Sequence, residues 1–252
     1  MKSDLAPLDS NRPYSVIIDI VGFLPSYRAP KKKIAAALTA LRISLKEHGI
    51  LTENGKNSSS KEQKESSPLI IFHLNDNLLI AMTKDGKNAT LVHLLGSLMN
   101  IELTLMSAGI PIRGIVFQET EDPNESSTWM TCSIDGATKL CESLRAFGIF
   151  GITKLTDNSL TQKRTKSDIP LEYPTLVPTT NGLMRLSMIN WCCFFRDFTD
   201  VVAILNNISP AKQTAEYFSF FTSTQEIVKD AYNETWKYDD NDISLPLPFN
   251  NN

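Results

Sequence analysis

Two aspartates stand inside runs that are otherwise apolar: Asp19 in SVIIDIVGF and Asp76 in LIIFHLNDNLLIAM. A carboxylate in a segment that should be buried is costly unless something positive sits against it. Two carboxylates at close range cannot both stay ionised without a cation between them. Hard divalent ions, magnesium or manganese, are the natural partners of such oxygens and often share a triphosphate with the protein. Each aspartate also has a plain structural reading. Asp19 could hydrogen-bond the turn after its strand, and Asn75-Asp76-Asn77 is what a tight turn prefers.

The elements that must position this pair follow from periodicity. Tyr14 to Val21 reads as a buried strand closed by Gly22. After Lys31-Lys32-Lys33, the mostly 3.6-type spacing of Ile34, Leu38, Leu41, Ile43 and Leu45 predicts a helix ending near Gly49. Residues 52–67 form a polar low-complexity loop. Leu69 to Leu74 and Leu78 to Met82, parted by Asn75-Asp76-Asn77, predict a β-hairpin. Asp85-Gly86 marks a turn. A long helix is expected from Ala89 to Ala108, stopped by Gly109 and Pro111. Ile112 to Phe117 reads as a strand, Trp129 to Ile134 as a further one, Gly136 to Phe147 as a helix, and GIFGITKL as the last core strand.

From Thr156 to Asn181, with Pro170, Pro174 and Pro178, the chain reads as loop. A helix is expected somewhere between Pro210 and Tyr232. The predicted organisation is a domain over 14–155 and a loop-rich, helical C-terminal extension over 156–252. The element order implies an α+β sandwich with helices on one side of a mixed sheet. In the juxtaposition this topology predicts, the first strand lies beside the hairpin and both aspartates share one sheet edge.

Bulk properties narrow the partners. A net charge of -3 gives no electrostatic reason to expect nucleic acid or an anionic membrane surface. The N-terminus lacks the apolar core of a signal peptide, and no apolar run reaches the length of a membrane span. Cys132, Cys141, Cys192 and Cys193 form no Cys-x-x-Cys, and the three histidines have no metal-ligand spacing. A reduced cytoplasmic protein without zinc is the expectation. GILTENGKN places five residues between its glycines and Asn57 after Lys56, so it is not a phosphate-binding loop of the Gly-x-x-x-x-Gly-Lys-Ser/Thr type.

On these residues the chain resembles the class III nucleotidyl cyclases. IIDIVGF is similar to their Asp-Ile-x-Gly-Phe strand and turn, and LNDNLLIAM to their Gly-Asp hairpin, with Asn75 in place of Gly. AGIPIRGIVFQE resembles their helix–strand pair, with Arg113-Gly114 where bacterial relatives carry Arg-Gly-Gly-Ile. IDGATKLCESLRAFGIFGI is similar to the helix and strand that follow. The style is that of the compact bacterial pyrimidine (cytidylate or uridylate) cyclases of anti-phage signalling, and NGLMRLSMINW resembles a segment near their C-terminus.

The resemblance implies a ferredoxin-like, nucleotide-cyclase-type sandwich of βααββαβ-like order. It implies an enzyme that converts a nucleoside triphosphate, UTP or CTP, to a 3′,5′-cyclic mononucleotide and pyrophosphate, as a signal in antiviral defence. Two Mn²⁺ or Mg²⁺ ions would be held by Asp19, the Ile20 carbonyl and Asp76, with the amides of Val21, Gly22 and Phe23 around the phosphates. A homodimer is implied as well. Arg113 keeps two readings, a catalytic phosphate ligand or the partner of a structural carboxylate. The Asn and Arg that stabilise the transition state in purine cyclases have no clear match, Thr138 and Arg145 being nearby. The alternative is a degenerate cyclase-fold protein that binds nucleotide or a partner without turnover.

Overall fold

A computed structural model of the chain describes residues 13–19, 32, 35, 36, 39, 40, 43, 69–74, 78–83, 88–118, 134–152, 170–209 and 215–236. Strand β1 (Tyr14–Asp19) carries the β-branched run Val16-Ile17-Ile18, which packs well on a pleated surface. Every residue of it but Asp19 is buried, so both of its faces are covered. β4 (Arg113–Gln118) is buried along its whole length in the same way. Strands buried on both faces read as continuous apolar runs, whereas one-sided sheets alternate. The middle of the sheet is therefore covered on both sides.

β1 lies between β4 and β3 (Leu78–Thr83), and β3 pairs in turn with β2 (Leu69–Leu74). The expected hairpin and its place beside the first strand are both present. Beyond β4 come β5 (Gly148–Gly151), β7 (Gly182–Ile189) and β6 (Glu172–Thr179). Among the described residues, seven strands run in the order β2-β3-β1-β4-β5-β7-β6. All neighbours are antiparallel except β4 and β5, which are parallel. The chain is thus an α+β protein built on one mixed sheet.

Helix α1 (Asn88–Ser107) ends where the sequence predicts. Gly109 takes φ 69°, its amide bonds the Met106 carbonyl at 2.8 Å, and the Ile110 amide bonds the Leu105 carbonyl at 2.9 Å. That is a Schellman stop, which needs a left-handed residue. Helix α2 (Ile134–Ser143) starts two residues before its predicted start and ends four before its predicted end, because Leu144 leaves the helix to bridge Thr179. Ile134, predicted to close a strand, is the first residue of α2; residues 129–133 lie outside those described. Lys32, Ala35, Ala36, Thr39, Ala40 and Ile43 are helical, within the first predicted helix, and exposed; Ile43, counted in its apolar pattern, is therefore not on a buried face. The 52–67 loop and Asp85-Gly86 lie outside the described residues.

The segment expected to be loop contains β6, and β7 follows after the two-residue turn Thr180-Asn181. β6 is an edge strand, the one place in a sheet where Pro174 and Pro178 cost no ladder bond. Part of its open edge is closed by the chain itself. The Arg145 amide bonds the Pro178 carbonyl at 2.8 Å, and the Thr180 amide bonds the Ser143 carbonyl at 2.9 Å. Hairpin β6–β7 joins the sheet of the first 155 residues through β5. A 3₁₀ turn (Trp191–Phe194), α3 (Phe198–Asn207) and α4 (Ala215–Trp236) complete the described fold. α3 packs on α1, and α4 packs on β6 and the 3₁₀ turn.

Candidate functional site at the end of the first strand

Asp19 is the last residue of β1, in register with Leu78 on one side and Arg113 on the other. Leu78, the register partner of Asp19, opens β3 two residues after Asp76 in the chain. Asp76 itself, with Ile20, Val21, Gly22 and Phe23, lies outside the described residues. Of the predicted site residues, Asp19 and Arg113 are placed, and the structure brings them together. The Arg113 Nη2 donates to Asp19 Oδ2 at 3.1 Å, with side chains 3% and 20% exposed respectively.

Arg113 is held from several directions. Its Nη1 donates to the carbonyls of Glu142 at 2.9 Å and Leu144 at 3.3 Å, at the end of α2. A helix C-terminus carries partial negative charge and unsatisfied carbonyls, so it favours a cation. The Phe220 ring of α4 lies 6.0 Å from the guanidinium carbon, within cation–π range. Burial lowers the Arg113 pKa; Cys141 and Asp19 oppose that, and Arg145 adds to it. Arginine nonetheless remains a cation in proteins. Cys141 donates its thiol to the Arg113 carbonyl at 3.6 Å, and burial pushes that thiol up to about 12. Buried, apolar surroundings of this kind keep a thiol protonated.

The positive charge that the sequence required beside Asp19 is therefore supplied, at least in part, by Arg113. This is the structural-carboxylate reading of the arginine. Its surroundings, the end of α2 and Phe220, were not read from the sequence, since they are tertiary neighbours 29 to 107 residues away along the chain. Thr138 spends its hydroxyl on the Ile134 carbonyl within α2. Arg145 pairs with Glu216 at 2.5 Å and stands 5.2 Å from the Phe220 centroid.

Asp19 offers one oxygen donor of the kind magnesium or manganese takes, a partly exposed carboxylate at a strand end. Such an ion would share that carboxylate with Arg113. Among the described residues no group of three or more His, Cys, Asp or Glu stands together. None of the described helices is long and apolar enough to cross a membrane.

Comparison with protein-family models, curated proteins and solved structures found no match.

Proposed function

We propose that the chain is a nucleoside-triphosphate cyclase whose site lies at the end of β1. The observation that carries this reading is the register of β1 with β3. It sets Asp19 opposite Leu78, which follows Asp76 by two residues in the chain. Two carboxylates from a first strand and a neighbouring hairpin are what a two-ion triphosphate site requires. The antiparallel order β2-β3-β1-β4, with α1 between β3 and β4 and helical residues between β1 and β2, supports a ferredoxin-like core of cyclase type.

In this reading Asp19, the Ile20 carbonyl and Asp76 hold two Mn²⁺ or Mg²⁺ ions. When bound, the ions make the ribose 3′-hydroxyl a better nucleophile and neutralise departing pyrophosphate. The amides of Val21, Gly22 and Phe23 take the phosphates. Arg113 fixes the Asp19 carboxylate against the end of α2, so that one oxygen keeps a set position. The substrate is a pyrimidine triphosphate, UTP or CTP, and the cyclic product an antiviral signal made by a homodimer.

The test is direct. The purified chain is incubated with Mn²⁺ and each of the four ribonucleoside triphosphates, and products are read by mass spectrometry. A 3′,5′-cyclic mononucleotide from UTP or CTP is expected. Folded protein that yields none from any triphosphate sinks the proposal.

One observation favours a second reading. Asp19 already has a cation in Arg113, so its charge does not by itself call for a metal. A degenerate cyclase-fold protein that binds nucleotide without turnover would keep this pair. It would show triphosphate binding by calorimetry with no product.

A further inference from the structure

Glu102 lies in the middle of α1 with none of its surface exposed. Among the described residues, neither carboxyl oxygen has a hydrogen-bond partner. Such a group is rare, since buried carboxylates are almost always paired. It rests against the first residue of β5: a Cβ on Gly148 would stand 3.1 Å from Glu102 Oε1. Gly148 also holds φ 133°, so glycine answers both demands at that position. Its amide bonds the Ile112 carbonyl at 2.8 Å, which fixes the backbone beneath the carboxyl.

Among the described residues, the groups around Glu102 offer no cation. From β5 comes the Ile149 amide, which favours the ionised form but falls short of a hydrogen bond. The 3₁₀ turn brings Cys192, whose thiol is pushed up by burial first, then by Cys193, and also by Glu102. No charged side chain of α3 or β7 acts on it among the described residues. Burial therefore holds the Glu102 carboxyl well above the ordinary carboxylate range.

We propose that Glu102 is a proton-dependent latch between α1 and β5. As a neutral acid it closes the space over Gly148; when its proton passes to solvent, the carboxylate must leave that space. The latch stands one strand from the candidate site, because Gly148 is the register partner of Arg113, which is the partner of Asp19. It does not depend on the cyclase reading.

The sign follows from linkage. An unfolded glutamate ionises near 4.5, and the folded one well above that. Between those values folding takes up one proton, so the stabilisation is complete below the unfolded value and is lost as pH rises. Urea unfolding of the full chain between about pH 6 and about pH 9 tests this against Glu102→Gln, which keeps the shape of the neutral acid. The folding equilibrium of the wild type falls about tenfold per pH unit relative to the variant until Glu102 ionises in the folded state. Over the same range amide protection at Gly148–Gly151 is lost in the wild type alone. Parallel stability curves overturn the proposal. Should Glu102→Gln fail to fold, infrared spectra of wild type labelled with ¹³C-glutamate decide the matter. A protonated glutamate carboxyl at neutral pH that vanishes on unfolding supports the latch, and its absence overturns it.

Discussion

Asp19 and Arg113 meet twice, as register partners on β1 and β4 and as an ion pair at 3.1 Å. Truncating one side of a buried pair takes a partner from the other charge, which costs more than the pair contributes. Arg113→Met should destabilise the chain by about 3 kcal/mol, the low end for such a pair because Asp19 retains some access to water. Asp19→Asn keeps an acceptor for Nη2 and should cost less. The double variant should be more stable than the sum of the two singles implies, as read from urea midpoints in a double-mutant cycle.

If the site is of two-ion type, Asp19→Asn and Asp76→Asn should each abolish cyclic product while leaving the far-ultraviolet circular dichroism unchanged. Chelation by EDTA should do the same and be reversed by Mn²⁺. Full activity in either variant would mean that the ligands are misassigned.

How far the sequence reached depends on what kind of contact was at stake. Strands β1 to β5 and α1 were legible because their apolar runs and stop residues are local signals, as in the Gly109 end of α1. Hairpin β6–β7 was not, because Pro174 and Pro178 argue against any strand but an edge one, and edge position is a property of the whole sheet. The signal that was there is Asn181-Gly182, a pairing common in tight hairpins, flanked by apolar residues. At the site, the carboxylate in an apolar strand is a local signal, whereas its ion pair with Arg113 joins residues 94 apart and shows only in the folded register. The same criterion finds Glu102, a lone carboxyl in the apolar stretch from Leu91 to Met106.

Thr224 joins α4 to the start of β5. Its buried hydroxyl accepts from the Phe147 amide at 2.7 Å and donates to the Phe220 carbonyl at 2.8 Å. Valine has the same shape without the oxygen, so Thr224→Val takes away the acceptor of a buried amide. The expected loss is about 1–3 kcal/mol in thermal or urea unfolding. Because Phe220 also lies beside Arg113, a shift of α4 would disturb the surroundings of the Asp19 pair. Thr224→Ser, which keeps the hydroxyl, should lose much less.

Asp197 caps α3, accepting from the Thr199 amide at 2.8 Å and from the Thr199 hydroxyl. These bonds, the hydroxyl first, hold its carboxyl below the ordinary aspartate value of 3.8. The folded state therefore binds its proton less readily than the unfolded state. Stabilisation by the ionised cap is present above the unfolded value and lost as pH falls through the folded one. Wild type should exceed Asp197→Ala in stability near neutrality, and the difference should shrink in acid. Asparagine caps as well as aspartate without titrating, so the advantage of Asp197→Asn over alanine should hold across the same range. Thermal unfolding of the three proteins between about pH 6 and about pH 2 separates these outcomes. An acid-independent gap between wild type and Asp197→Ala would show that the cap acts through shape rather than charge.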